Sequence, residues 1–161
     1  MRFTDLASPI IFGHRGACAY APENTLGSFE LALRQGADAI ELDTKLSMDG
    51  QVVVIHDQTV DRTTDHHGRV RDFSLQALQE MDAGSHFDPA FGHERIPTLD
   101  QVFEAVGQRI MINVEIANYA TPTDASPEKV ALCVQTHHME ERVIFSSFNP
   151  LALTRVRRCL P

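Results

Sequence analysis

Apolar positions along the chain switch between a period of two and a period near 3.6, and the switches mark its elements. Pro9, Ile10, Ile11 and Phe12 form a short apolar run that ends at Gly13. This predicts a buried strand over residues 9–13, after an irregular lead-in at residues 1–8. Beyond Pro22, Asn24 or Thr25 can cap a helix. Its apolar face is Leu26, Phe29 and Leu33 at i, i+3 and i+7, and Gly36 is placed to end it. Residues 39–46 return to a period of two. Ile40, Leu42 and Thr44 face one way, and Glu41, Asp43 and Lys45 face the other. A strand covered by helices should be apolar on both faces. Three charged residues on one face break that rule, and broken local rules concentrate at functional sites.

Asp49-Gly50 is a two-residue hairpin signal, with residues 51–55 as the return strand. A two-residue turn there sets Met48 against Gln51 and Asp43 against His56. Opposed residues have Cβ atoms about 4.5–5.5 Å apart, so the hairpin is expected to bring His56 level with Asp43. Residues 58–97 are polar and turn-rich, with one helical run near 75–81, and read as an excursion rather than a core layer. Pro97-Thr98 opens a helix with Leu99, Val102, Phe103 and Val106 on one face and Gly107 at its end. Residues 110–116 form a third strand with Glu115 near its end, and 121–127 a loop. Residues 127–139 form a helix and 143–147 a fourth strand. Asn149-Pro150 opens a last helix that reaches about Cys159. Strand then helix, four times over, implies a parallel sheet with helices outside. With no linker or repeat, the chain reads as one domain over 1–161 with an insertion at about 46–97.

The chain has 161 residues, 43% hydrophobic and 22% charged, which suits a core of ordinary size. Its net charge of −8 argues against nucleic acid held by bulk electrostatics. An anionic substrate would therefore need a local cation: a metal, an arginine, or both. Cys18, Cys133 and Cys159 lack metal-ligand spacing and read as reduced thiols in a cytoplasmic protein. No apolar run approaches the ~18 residues of a membrane span, and residues 1–9 carry no signal pattern.

Glu41, Asp43 and Glu115 all lie near the C-terminal ends of predicted parallel strands, where ligands of such folds collect. Carboxylates converging there repel one another unless a cation sits between them. All-oxygen ligation favours Mg²⁺ or Ca²⁺. His14 and His56 suit acid–base work because histidine titrates near neutrality. Arg15 can fork onto a phosphate, and Gly13 and Gly16 beside it permit close backbone approach. The remaining histidines read as structural or exposed, and the pairs at 66–67 and 137–138, in polar contexts, as solvated. Arg155, Arg157 and Arg158 read as solvated charges complementing the dipole of the last helix.

These residues resemble the glycerophosphodiester phosphodiesterase family from about Ile10 to Pro161. The motifs are His14-Arg15-Gly16, Pro22-Glu23-Asn24-Thr25, Glu41-Leu42-Asp43, Asp49-Gly50, His56-Asp57, Asp61-Arg62-Thr63-Thr64, Ile96-Pro97-Thr98-Leu99, Asn113-Val114-Glu115-Ile116 and Ser147-Phe148. The resemblance implies a TIM (β/α)₈ barrel, with about its first four β/α units present and a hairpin insertion after strand two. It implies Mg²⁺ or Ca²⁺ held by Glu41, Asp43 and Glu115, an acid–base pair of His14 and His56, and Arg15 on the phosphate. The reaction would convert a small-molecule phosphodiester, such as glycerophosphocholine or glycerophosphoethanolamine, to an alcohol and glycerol 3-phosphate. A lysophospholipase D-type activity and a non-catalytic, self-associating half-barrel are the alternatives.

The chain departs from the family pattern at two places. Ala117 stands where the family usually carries a lysine, which is expected to weaken phosphate binding or alter specificity, with Lys45 on the charged face of strand two as a partial compensation. Four strands also fall short of a barrel that takes ~250 residues. Open sheet edges favour association, so either the chain is truncated or two copies complete one another as a homo-oligomer.

Overall fold

The computed structural model describes residues 5, 6 and 8–161; the other positions of the expected lead-in lie outside the described residues. In chain order the elements are β1 (Phe12–His14), α1 (Leu26–Arg34), β2 (Ala39–Leu46), β3 (Val52–Val54) and α2 (Leu75–Glu80). They continue with α3 (Leu99–Val102), β4 (Met111–Ile116), α4 (Ser126–Thr136), β5 (Val143–Ser146) and α5 (Pro150–Cys159). A π-helical turn at Phe103–Gly107 carries α3 on to where a glycine end was expected.

Helix starts follow local capping chemistry. Thr25 accepts from the Ser28 N–H at the start of α1, and Asn149 accepts from Leu151 at the start of α5. Thr98 and Gln101 form a reciprocal capping box on α3. Each such cap stabilises its helix by about 1 kcal/mol.

Four strands run parallel in the order β1-β2-β4-β5, with helices packed outside. β3 pairs antiparallel with the far end of β2, beyond the reach of β1. The sheet of the described residues is open. Its central strand β2 is buried almost throughout, and Ile40 and Leu42 join Phe29, Val102, Ile112, Val114 and Val130 in the main core. No helix among the described residues is long and apolar enough to cross a membrane.

Four expectations change. The run at 9–12 is not a buried strand: β1 starts at Phe12 on an outer edge, and Ile11 is 61% exposed. Apolar composition reports a wish to be buried, but among the described residues this outer strand has a neighbouring strand, β2, on one side only. Residues 58–97 are more than a polar excursion. Val60, Val70, Leu78, Met81, Ala83 and Ile96 pack with Val53 and Ile55 into a second small core. Arg155 is not simply solvated, since its guanidinium pairs with Glu128 at 2.6 and 2.8 Å and ties α5 to α4. His137 is half-buried, with Nε2 2.8 Å from Asp100 Oδ1 and its ring against Phe103.

The hairpin register also shifts by one. Thr44 pairs with Val54 and Leu46 with Val52. The loop therefore holds three residues, 48–50, with Gly50 at φ 73°. Three-residue loops of this kind place glycine in the left-handed region. The Ser47 hydroxyl accepts the Gln51 N–H at 2.9 Å and closes the loop one residue earlier than an Asp-Gly turn would. The Ile55 N–H thus meets the Asp43 carbonyl at 3.0 Å, and His56 lies beyond the ladder, not opposite Asp43.

Candidate active site

Sheet register assembles the cluster. Between β1 and β2, His14 stands beside Glu41; between β2 and β4, Asp43 stands beside Glu115. Neighbouring strands lie about 4.8 Å apart, so side chains on the same face at these levels must meet. Carboxylate oxygens of Glu41, Asp43 and Glu115 lie within 4.8 Å of one another. His14 Nε2 is 3.8 Å from Glu41 Oε2.

The loop after β1 wraps the cluster from one side. Arg15 and Asn24 both adopt left-handed backbone, at φ 54° and 57°. Such strain in non-glycine residues costs about 1–3 kcal/mol and gathers at functional sites. Its result here is that the Arg15 N–H donates to Glu41 Oε2 at 3.0 Å. Gly16 (φ 82°) has no alternative, since a Cβ there would stand 2.3 Å from Ser28 Oγ. Asn24 Nδ2 donates to Asp43 Oδ2 at 2.9 Å, and Asn24 Oδ1 accepts from the Asp43 backbone N–H at 3.4 Å. The Arg15 guanidinium donates to Glu23 at 3.0 Å. Its buried Nε lies 3.4 Å from Asp43 Oδ2 without a hydrogen bond to it.

A second network orients His56. Its Nδ1 is 2.6 Å from Asp57 Oδ1. Arg62 donates through Nε to Asp57 at 2.7 Å and forks onto both oxygens of Glu23 at 2.8 Å. The chain His56–Asp57–Arg62–Glu23–Arg15 thus links both halves of the site. The hydrogen bond from Arg62 holds the Asp57 carboxyl down at about 2, so it is ionised at neutral pH. An ionised partner accepts only, so Nδ1 of His56 carries the proton and Nε2 is the nitrogen left for proton exchange. Burial pushes Glu23 up, but Arg62 and Arg15 outweigh it and hold the carboxyl below its ordinary range.

Burial, and then the charge of Asp43, push Glu41 up to about 7 and raise Glu115 in the same direction. Three mutually repelling carboxylates, two buried and one half-buried, fit a hard divalent cation, which would remove the repulsion. The metal-free protein should show the cost. The folded Glu41 carboxyl keeps its proton to about pH 7, whereas unfolded it ionises near 4.5. Its contribution is therefore fully present below pH 4.5 and is lost as pH rises through 7. In chelator, the thermal midpoint is expected to gain less, or fall, between pH 4.5 and 7 relative to Glu41→Gln. A midpoint difference that is flat across this window would contradict the arrangement.

All six residues expected at the site belong to this end of the sheet: His14, Arg15, Glu41, Asp43 and Glu115 meet directly. His56 joins them through the hydrogen-bonded chain of Asp57, Arg62, Glu23 and Arg15. Sequence reasoning missed the roles of Asn24, Glu23, Asp57 and Arg62. Asn24 looked like a helix cap, a role that Thr25 takes. Lys45 shares the strand face of Glu41 and Asp43, is buried, and donates from Nζ to the Ala117 carbonyl at 2.9 Å.

Residues 14–161 match the model of the Glycerophosphoryl diester phosphodiesterase family. A glycerophosphodiester phosphodiesterase of Caldanaerobacter subterraneus subsp. tengcongensis is 44% identical over 153 residues, covering 94% of this chain and 63% of that protein. Among solved structures, a glycerophosphodiester phosphodiesterase from Agrobacterium tumefaciens is 37% identical with a TM-score of 0.85, over 93% of this chain and 62% of that one. An Oleispira antarctica phosphodiesterase, solved with the product sn-glycerol-3-phosphate, is 34% identical with a TM-score of 0.88, over 93% and 62%. The chain thus spans a little under two thirds of the length of these proteins. The fold class is the TIM barrel, represented here by an unclosed part of it, and the chain belongs to the glycerophosphoryl diester phosphodiesterase family.

Proposed function

We propose that residues 1–161 form the part of a phosphodiesterase barrel that carries its catalytic residues. The reaction is divalent-metal-dependent hydrolysis of a glycerophosphodiester to an alcohol and glycerol 3-phosphate. The observation that carries this reading is the convergence of Glu41, Asp43 and Glu115 beside His14 and Arg15. The product bound in the Oleispira structure supports the choice of substrate class. Free cysteines support a reducing, cytoplasmic setting. The open sheet edges support completion by further strands, from the same protein or from a second copy.

Glu41, Asp43 and Glu115 would hold Mg²⁺ or Ca²⁺. The ion supplies Lewis-acid stabilisation of charge on the phosphoryl oxygens. Arg15, whose guanidinium stands beside Asp43 and Glu23, would aid from the protein side. One histidine takes the proton from the glycerol 2-hydroxyl as it attacks phosphorus. The other gives a proton to the departing alcohol oxygen, leaving a cyclic phosphate. Water then opens the ring as the histidines exchange roles. Each transfer contributes roughly 10²–10⁴-fold. Asp57 holds His56 in one tautomer throughout, so that Nε2 is the atom that gains or loses the proton.

The direct test is release of glycerol 3-phosphate by the protein that carries this chain, with Mg²⁺ or Ca²⁺ present. Release from at least one glycerophosphodiester is expected. Metal-loaded, folded protein that releases none from any of them would end this reading.

A further inference from the structure

Beyond the carboxylates, at the far end of β2, lies a cavity of about 270 Å³ that the reaction above does not use. Lys45 connects the two. It is two residues past Asp43 on the same strand face, so its Cα sits roughly 7 Å further along. A group attached to a phosphate at the carboxylates and running along this face of β2 would enter the cavity. The cavity walls include Lys45, Gln58, Arg71, Asn118, Thr121 and Asp124.

What these walls offer is mostly donors. Lys45 is 6% exposed and spends one N–H on the Ala117 carbonyl, leaving two. Gln58 Nε2 is buried and has no acceptor. A buried donor without a partner costs about 1–3 kcal/mol, and a ligand oxygen would relieve it. The one carboxylate in the wall, Asp124, is already engaged. Its oxygens accept from Asn118 Nδ2 at 3.2 Å, the Ser126 N–H at 3.0 Å and Thr121 Oγ1 at 2.5 Å. Lys45 and Arg71 are the cations of the wall, and the oxygens of its one carboxylate are occupied by these donors. The neighbouring aromatic face, Tyr119, is covered by the Lys45 ammonium at 5.4 Å. Quaternary ammonium ligands are recognised on free aromatic faces, and a cationic head group on this face would meet the Lys45 ammonium.

We propose that the cavity is the subsite for the leaving alcohol and that it selects acceptor-rich head groups without positive charge. These are polyols such as glycerol or inositol, in preference to choline or ethanolamine. The assignment rests on the phosphodiesterase reading and narrows its substrate class.

The test compares glycerophosphoglycerol, glycerophosphoinositol and glycerophosphocholine as substrates of the full protein with Mg²⁺ or Ca²⁺. A charged donor matched to a ligand oxygen discriminates by about tenfold or more, so kcat/KM is expected to be at least about tenfold higher for the polyol diesters. Lys45→Met should erase that advantage, mainly through KM, lowering the polyol diesters about tenfold more than the choline diester. Gln58→Leu, at a half-exposed position, should act in the same direction with kcat held, and serves if Lys45→Met fails to fold. Calorimetric titration of the same diesters into His56→Ala protein reads binding without turnover. If nothing is hydrolysed but the binding order holds, the catalytic reading falls and the subsite stands. If hydrolysis occurs with choline equal or better, or if Lys45→Met lowers all three substrates alike, the subsite assignment is overturned.

Discussion

His56→Ala is expected to lower turnover by about 10²–10⁴-fold, the range of a lost general acid or base. The fold should not suffer, because the ring is about a third exposed and lies outside the β2–β3 ladder. Divalent metal affinity should persist, since all three carboxylates remain. The distinctive consequence concerns its neighbour. Asp57 meets His56 Nδ1 at 2.6 Å and is ionised by its pairing with Arg62. Asp57→Asn keeps the shape but can turn an N–H toward Nδ1, which would then accept and place the proton on Nε2. Activity should fall by about 10²-fold or more, with little change in KM. Steady-state kinetics on the two variants, with circular dichroism as the control for folding, checks both. If Asp57→Asn is as active as the parent, Asp57 does not set the tautomer.

Asp43→Asn is expected to have the second large effect, through metal binding. Asp43 is 2% exposed and central to the cluster, with Glu115 beside it on β4 and Arg15 Nε at 3.4 Å. Losing an outer-shell partner typically costs a metal site about 10–100-fold in affinity, and losing a charged ligand should cost at least that. Asn24 spans the Asp43 side chain and backbone, so Asn24→Ala should reproduce a weaker form of the same loss. Titration calorimetry with Mg²⁺ or Ca²⁺ gives the order: parent, then Asn24→Ala, then Asp43→Asn. An Asp43→Asn protein that binds the ion as tightly as the parent would place the metal elsewhere.

The charged face of β2 was legible because it violates the apolar pattern of a covered strand. Three acids, two histidines and an arginine could be gathered from types and spacing. The pairing of Asp43 with Glu115 could not, because they are 72 positions apart and only the β2–β4 register aligns them. Arg62 was hidden for the same reason: its partner Glu23 is 39 residues away. The hairpin misled more directly. Asp49-Gly50 signals a turn, but the choice between two and three loop residues depends on the Ser47 hydroxyl closing it. One residue of register reverses which face every side chain takes, so the expected opposition of Asp43 and His56 failed. His56 still belongs to the site, brought there by the Asp57–Arg62–Glu23 chain rather than by strand pairing. The edge strand β1 shows the remaining limit. The apolar run at 9–12 that leads into it reads as buried because composition carries no information about which neighbours are present.

The central claim is that three carboxylates hold a divalent ion on which catalysis depends. It is tested most directly by glycerol 3-phosphate release from a glycerophosphodiester, measured in chelator and again after Mg²⁺ or Ca²⁺ is restored. No release is expected in chelator, with recovery on adding one of these ions to the parent and no recovery in Asp43→Asn. Undiminished release in chelator, or equal recovery in Asp43→Asn, would contradict it.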